Sequence, residues 1–331
     1  MILFAYPAIL TVSSGMALRS HSLVFLCGKS YNSYVVISVK FQVLFMKGIV
    51  LAGGKGTRLY PMTKPVFKPL LPVYDKPMIY YPLSVLIQAG IRDVLIITPG
   101  GGIDPFKNLF GDGSQLGMNI QYKEQPKQRG IADAFLVGED FIGSDSVCLV
   151  LGDNIFYGHG FKEHLKKAVG LGSGAMIFGY YVDHPEAFGV VEFDSSGKAV
   201  SIEEKPKHPK SNYIVPGLYF YDNTVVDIAK HIEPSARGEL EITSVNNAYL
   251  SRGQLSVIPL NADYTWCDAG TDDSLLDAAA SIRTLQKVSV RQIGCIEELA
   301  YQNGWIDKAQ LMHLGEELAK TKYGQYILSI E

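Results

Sequence analysis

Cysteine is scarce in this sequence, and what there is stays unpaired. Cys27, Cys148, Cys267 and Cys295 lie far apart, with no C-x-x-C among them. That spacing excludes a zinc ribbon and a disulfide framework, and it fits reduced thiols in a cytoplasmic protein. Strong net charge is missing too: 30 basic residues against 33 acidic ones leave −3. A general nucleic-acid-binding surface is therefore not indicated. There is no internal repeat and no low-complexity tract. With 47% hydrophobic and 19% charged residues, the composition is that of an ordinary globular chain. Its 331 residues suit one large α/β domain with an appended segment, or two small domains.

A local absence says more. From Met46 to Tyr74 there is no Asp or Glu, while Lys47, Lys55, Arg58, Lys64 and Lys68 all fall there. The stretch opens on the apolar run Gly48-Ile49-Val50-Leu51-Ala52, which reads as a buried strand. Gly53-Gly54-Lys55-Gly56-Thr57-Arg58 follows it. Glycines let the backbone turn sharply and bring N–H groups against a ligand. Backbone donors with cations behind them suit a polyphosphate. By themselves the same residues also fit a surface turn with solvated lysines. Two familiar phosphate loops fail on spacing. Lys55 is followed by Gly56 rather than Ser or Thr, and Leu59 stands where a dinucleotide fingerprint needs its third glycine.

Beyond this turn the pattern alternates. Asp75 is placed to cap a helix with Pro77 in its first turn and Gly90 past its end. Asp93 to Thr98 and Ser146 to Leu151 read as buried strands, Asn119 to Lys123 as a half-exposed one, and Ile131 to Val137 as a helix. Such alternation argues for a mainly parallel sheet covered on both faces, with ligands beyond the carboxyl ends of strands. From Ala175 to Tyr221 the reading changes to strands joined by turns such as Asp194-Ser195-Ser196-Gly197. Helices return at Glu239 to Arg252 and Asp272 to Lys287. Short ones follow from Cys295 to Tyr326, broken at Gly304 and Gly315.

Several side chains stand out for chemistry. Asp153, in Leu151-Gly152-Asp153-Asn154, follows a strand directly, where a carboxylate can hold Mg²⁺ through one oxygen. Asp268, in Cys267-Asp268-Ala269-Gly270, repeats the arrangement, and only the fold can join the two. Either could equally cap a turn. Glu203-Glu204-Lys205-Pro206 offers a carboxylate and a cation at a strand end, and Pro206 biases Lys205 to extended backbone. An exposed charged turn would look the same. Gln125, in Glu124-Gln125-Pro126, carries a donor and an acceptor that suit a pyrimidine edge, with Gly130-Ile131-Ala132-Asp133 close behind. Ser235-Ala236-Arg237-Gly238-Glu239-Leu240-Glu241 reads as a helix start with acidic residues at the positive end of the helix dipole.

The string Leu51-Ala52-Gly53-Gly54-Lys55-Gly56-Thr57-Arg58-Leu59, with Lys68-Pro69-Leu70-Leu71-Pro72 after it, resembles the signature of the sugar-phosphate nucleotidylyltransferases. Val73-Tyr74-Asp75-Lys76-Pro77-Met78-Ile79-Tyr80-Tyr81-Pro82-Leu83 makes it similar to the glucose-1-phosphate thymidylyltransferase branch, over Met46 to Glu331. The resemblance implies a Rossmann-like, three-layer α/β fold of the GT-A-like type, with inserted strands and a C-terminal helical segment. It implies transfer of thymidylyl from dTTP to glucose 1-phosphate, with Mg²⁺, to give dTDP-glucose and pyrophosphate for deoxysugar and polysaccharide precursors. Carried over by residue, Arg58 and Lys68 are catalytic. Leu51, Gly53, Gly54, Gly56, Thr57 and Arg58 contact the nucleotide, and Gln125 and Gly130 hold its base. Gly189, Glu204 and Lys205 bind the sugar phosphate, Asp153 and Asp268 hold the metal, and Arg237 has an active-site role. Phe67 and Pro69 flank Lys68 where the family has polar residues, Pro216 replaces a Thr, and Thr98-Pro99-Gly100-Gly101-Gly102 makes a looser loop. The alternatives are a uridylyl- or cytidylyltransferase, or a non-catalytic sensor of the same fold. An NAD-dependent oxidoreductase is disfavoured by the missing glycine.

Residues 1–45 differ from the rest. They carry Arg19, Lys29 and Lys40 with no acid, a net +3 against −6 for the remainder. The uncharged stretch to Leu18 is interrupted by Pro7, Ser13, Ser14 and Gly15, which is poor for a membrane span. Gly15-Met16-Ala17 has small residues at cleavage-like spacing, without the preceding cations of a signal peptide. The family's proteins start near the first strand, so the expectation is an upstream extension outside a nucleotidyltransferase domain at 46–290. Helices at 291–331 are expected to carry oligomer and regulatory contacts. No membrane and no nucleic acid is expected as a partner; a homotetramer is.

Overall fold

The computed structural model describes residues 45–261 and 263–331, and the backbone of 20–30 and 33–42. The chain divides after Phe45 into two units. In the first, Ser20–Ser30 and Ser33–Gln42 pair as an antiparallel hairpin. The sequence reading placed no element there, although Val35, Val36, Ile37 and Val39 supply the β-branched residues that pairing favours. The expectation that residues 1–45 keep clear of the active site lies outside the described residues.

In the second unit, the parallel strands are β1 (Met46–Leu51), β2 (Asp93–Pro99), β3 (Asn119–Gln125) and β4 (Ser146–Leu151), in the order β4-β1-β2-β3. Their apolar runs are continuous because both faces are covered. Val50, Ile96 and Val150 point into one hydrophobic cluster, and Ile49, Leu95 and Leu149 into the other. Ile49 and Val50 are fully buried, each stabilising the fold by about 1.5–3 kcal/mol. α1 (Tyr80–Gln88) packs so closely on β1 that a Cβ at Gly48 would come within 2.8 Å of Leu86.

The strands after β4 are β5 (Asn154–Gly158), β6 (Ala175–Tyr181), β7 (Gly189–Phe193), β8 (Ala199–Glu204), β9 (Tyr213–Ile214), β10 (Leu218–Tyr221), β11 (Leu255–Leu260) and β12 (Tyr264–Asp268). They extend the sheet as β8-β7-β9-β6-β10-β4, antiparallel at every step, with β11 parallel to β6. The sheet is therefore mixed: parallel on the glycine-turn side and antiparallel through the inserted strands. β5 and β12 leave it and pair with each other. No helix among the described residues is long and apolar enough to cross a membrane.

The helices fall close to their expected places. α2 (Asp133–Val137) begins two residues later than read, and α3 (Ile242–Ser251) begins after the Ser235 loop rather than at Glu239. Asp75 caps nothing. It pairs with Lys76 in the short Pro72–Val73/Lys76–Pro77 hairpin, and α1 starts at Tyr80. The last helices, Ile296–Gln302, Lys308–Glu317 and Lys322–Leu328, bury Ile296, Leu311 and Ile327 in the same cluster as Leu86 of α1. Gly304 ends one of them, with φ +68°. Gly315 breaks nothing: it lies inside a helix, where a Cβ would stand 3.0 Å from Ile327 and Leu328.

Candidate active site

One cleft opens beyond the carboxyl ends of β1, β3 and β4. Its first wall is the glycine turn. Gly54 and Gly56 have φ of +102° and +60°, conformations that a side chain disfavours. Arg58 follows in an exposed turn and, among the described residues, makes no ion pair. Leu51, Gly53, Gly54, Arg58 and Lys68 all line the cleft. Gly56 and Thr57 shape the turn without reaching its wall.

Lys68 is not a solvated lysine of a surface turn. It opens the Lys68–Leu70 turn, is only 8% exposed, and ion-pairs with Asp153. Sequence distance hid this contact, because the two residues lie 85 positions apart.

The fold does join the two aspartates. Antiparallel pairing of β5 with β12 sets Asp268 opposite Asn154, and the Ala269 N–H donates to the Asp153 carbonyl at 3.1 Å. Asn154 organises the corner. Its amide donates to Asp153 Oδ1 at 2.8 Å, while its oxygen accepts from Trp266 Nε1 at 2.6 Å and from the Gly217 N–H at 2.9 Å. Burial would raise the Asp153 carboxyl; the Lys68 ammonium and hydrogen bonds from Lys68 and Asn154 outweigh it and hold it below the usual carboxylate range. Asp268 moves the other way. Burial, and then the negative charge of Asp153, push it up to about 6, against smaller pulls from Lys68 and Arg58. Gly270 leaves both Asp268 oxygens uncovered, since a Cβ there would sit 3.1 Å from each. Two crowded carboxylates, with the Asp268 oxygens uncovered and those of Asp153 held by Lys68 and Asn154, fit a divalent cation that takes its other ligands from water and phosphate. Among the described residues there is no third acidic, His or Cys ligand beside them.

At the other end lie Gly189, Glu204 and Lys205. Gly189 and Glu204 are register partners on β7 and β8. Glu204 accepts from Thr243 Oγ1 at 2.5 Å and from Arg237 at 3.3 Å. Lys205 is not extended, as Pro206 suggested. Its φ is +45°, held while its N–H donates to Phe188 O at 2.9 Å. Such a left-handed residue costs roughly 1–3 kcal/mol and is sustained by its surroundings. Arg237 lines the cleft from a loop and also donates to Glu241 at 2.8 Å.

The remaining corner is less charged. Gln125, at the end of β3, donates through Nε2 to Asp133 Oδ2 at 2.7 Å. Gly130 has φ +100°, and a Cβ there would come within 2.4 Å of Leu240 O. The glycine is needed for that backbone approach, whatever binds nearby. Gln128, with its amide oxygen turned inward, accepts from the Gly54 and Lys55 N–H groups at 3.3 and 2.6 Å, where an anion would sit.

Asn154, Trp266, Thr243 and Asp133 were missed as site residues. Asn154 and Asp133 lay inside quoted motifs. Trp266 and Thr243 had no signal of their own, because their roles depend on the β5–β12 pairing and on where α3 starts.

A cleft at strand ends, walled by a glycine turn that carries Arg58 and by a carboxylate pair, defines a nucleotidyltransferase. The family model described as Nucleotidyl transferase matches residues 47–284, and the chain belongs to that family. It is 56% identical to the glucose-1-phosphate thymidylyltransferase of Neisseria meningitidis serogroup A over 285 residues, 86% of this chain and 99% of that protein. The Mycolicibacterium smegmatis protein of the same name is also 56% identical, with the same coverage of both chains. A crystal structure from Bacillus anthracis, assigned as a glucose-1-phosphate thymidylyltransferase and complexed with sucrose, superposes with a TM-score of 0.67 at 44% identity, covering 72% of this chain and 95% of that one. UDP-glucose pyrophosphorylase complexed with UDP-glucose shares the fold, with a TM-score of 0.65 at 22% identity over 73% of this chain and 100% of that one.

Proposed function

We propose that this chain transfers a thymidylyl group from dTTP to glucose 1-phosphate, giving dTDP-glucose and pyrophosphate. The observation that carries the reading is the single cleft, with Arg58, Lys68 and the glycine turn on one wall, Glu204 and Lys205 on another, and Asp153 and Asp268 between the strands. The identity to thymidylyltransferases across almost their whole length supports the choice of substrates.

The sugar phosphate is already an anion, so its oxygen attacks the α-phosphorus without a general base. One phosphorus–oxygen bond forms, and the bond to the departing pyrophosphate breaks. Catalysis is then alignment and charge neutralisation. Arg58 and the N–H groups of Gly54 and Lys55 donate to the departing pyrophosphate. Gln128 must leave the turn for that to happen. Lys68 neutralises charge between the sugar phosphate and the α-phosphate. Lys205 binds the sugar phosphate, Glu204 accepts from sugar hydroxyls, and Gly189 keeps the wall low beside them. Gln125 and Gly130 face the base. Asp153 and Asp268 would hold Mg²⁺, which supplies positive charge to the nucleotide phosphates when bound.

The substrates are water-soluble, and the reaction belongs in the cytoplasm. A homotetramer is the proposed assembly; Leu276, Val288 and Val290 stay 68–81% exposed along and just past helix Asp272–Ser289, which supports self-association. Pyrophosphate release with glucose 1-phosphate and each of dTTP, dUTP, dCTP and dATP tests the proposal. Preference for dTTP is expected, and a rate with dTTP no higher than background rejects it.

A further inference from the structure

Gln125 is held in one orientation by a buried carboxylate. It is only 6% exposed, and its Nε2 donates to Asp133 Oδ2 at 2.7 Å. Asp133 is fully enclosed, and Arg129 lies 2.6 Å from its other oxygen as an ion pair, out of hydrogen-bond alignment. An ion-paired carboxylate only accepts. The amide nitrogen of Gln125 must therefore face Asp133, and its oxygen must face away. Backbone bonds fix the arrangement: Leu240 N–H donates to Arg129 O at 2.6 Å, and Ala132 N–H donates to Leu240 O at 3.1 Å. Asp133 cannot drift from its place at the start of α2 without breaking them.

The freed oxygen faces the glycine turn across the cleft. Among the described residues no donor reaches Gln125 Oε1. Gly53 lies across from it, and a Cβ there would stand 3.2 Å from that oxygen. Gln125 lines the cleft with Leu51, Gly130 and Ile131, its least charged corner and the one suited to a flat base. A pyrimidine with a keto group at C4, such as thymine or uracil, carries N3–H, a donor. Cytosine carries a bare N3, an acceptor. An oxygen locked toward the cleft satisfies the first and opposes the second. A site built around a buried hydrogen bond rejects the mismatched partner strongly.

We infer that Asp133 is a positioning residue that sets nucleotide choice: by locking the Gln125 amide, it admits triphosphates whose base carries N3–H and turns away cytosine. The inference rests on the thymidylyl reading above and assigns the source of its selectivity.

The test is kcat/KM for dTTP, dUTP and dCTP with glucose 1-phosphate, in the unmodified enzyme and two variants. Asp133→Asn keeps the shape, but its amide can donate or accept, so Gln125 is free to turn over. The dTTP/dCTP ratio is expected to fall at least tenfold, while dTTP/dUTP stays within about twofold, since both bases carry N3–H. Adding Gln125→Glu to Asp133→Asn reverses the polarity of the pair; the new carboxylate can only accept, from the amide and from the base, and the dTTP/dCTP ratio is expected to recover. A merely structural role would move all three nucleotides together. An unchanged dTTP/dCTP ratio in a folded Asp133→Asn enzyme overturns the inference, as does a ratio that the second substitution fails to restore. If the variants do not fold, the unmodified enzyme decides: at least a tenfold preference for dTTP over dCTP is required, and equal use overturns the lock. An unmodified enzyme that does not turn over dTTP at all would instead reject the thymidylyl reading.

Discussion

The Lys68 ammonium is ion-paired with the Asp153 carboxylate, at the junction of the glycine turn and the strand end. Both are candidate chemical groups, and each is the other's counter-charge. Lys68→Ala is therefore expected to lower turnover by about 10²–10³-fold, as loss of a transition-state charge contact does. It should also lower stability, by roughly 1–3 kcal/mol. That is below the cost of breaking a fully buried pair, because the Asp153 side chain is 26% exposed. Initial rates per folded molecule, beside a denaturant midpoint, separate the two effects. A destabilised variant with unchanged turnover would make Lys68 a structural residue only.

The two aspartates should respond to neutralisation with opposite signs of stability. Asp153→Asn leaves Lys68 without its partner and is expected to destabilise. Asp268→Asn removes a carboxylate crowded by Asp153, and is expected to stabilise the ligand-free protein by roughly 1–3 kcal/mol at neutral pH. Both should lose nearly all Mg²⁺-dependent turnover. The pH dependence follows from the folded-state value of Asp268, pushed up to about 6 from 3.8. A raised acid contributes stability that is present below about pH 4 and lost as pH rises through about 6. Unmodified protein should therefore lose stability relative to Asp268→Asn over that window and run parallel to it above. Added Mg²⁺ should raise the melting temperature above pH 6 and have little effect at pH 5, where it competes with the Asp268 proton. Parallel curves throughout, or an Mg²⁺ shift independent of pH, would remove Asp268 from the metal site.

Gly130→Ala places a methyl group 2.4 Å from Leu240 O at a φ of +100°. Neither the clash nor the backbone angle can be relieved without moving the segment that carries Asp133. A loss of more than about 1 kcal/mol is expected. KM for dTTP should rise more than KM for glucose 1-phosphate. Thermal melting and separate titration of the two substrates check it.

The unit Met46–Glu331 holds its own three hydrophobic clusters. A chain starting at Met46 is expected to stay soluble, to melt within a degree or two of the full chain, and to keep its initial rate. Aggregation, or a loss of several degrees, would make residues 1–45 part of the working fold.

The glycine turn, β1 and the parallel strands were legible because their signals are local: continuous apolar runs, then glycines, within a few residues. Asp153 and Asp268 were each legible as strand-end carboxylates, but not as a pair. Their meeting depends on β5 and β12, short strands whose apolar residues face different neighbours and show no clean alternation. The left-handed Lys205 ran against the ordinary effect of a following proline, because its N–H is claimed by Phe188. The Lys68–Asp153 pair and the Gln125–Asp133 bond are products of tertiary placement, visible as residues and not as contacts. In the hairpin at 20–42 the β-branched run was present, with the turn residues Ser30, Asn32 and Ser33 beside it, and went unread.

The central claim is group transfer in this cleft. The most direct measurement uses dTTP labelled at its α-phosphorus, with glucose 1-phosphate and Mg²⁺, and resolves the products by chromatography. The account predicts that the label moves into dTDP-glucose, in one-to-one proportion with pyrophosphate, and that transfer ceases in Asp153→Asn. Label that stays in dTTP, or that appears as dTMP with no sugar attached, would contradict it.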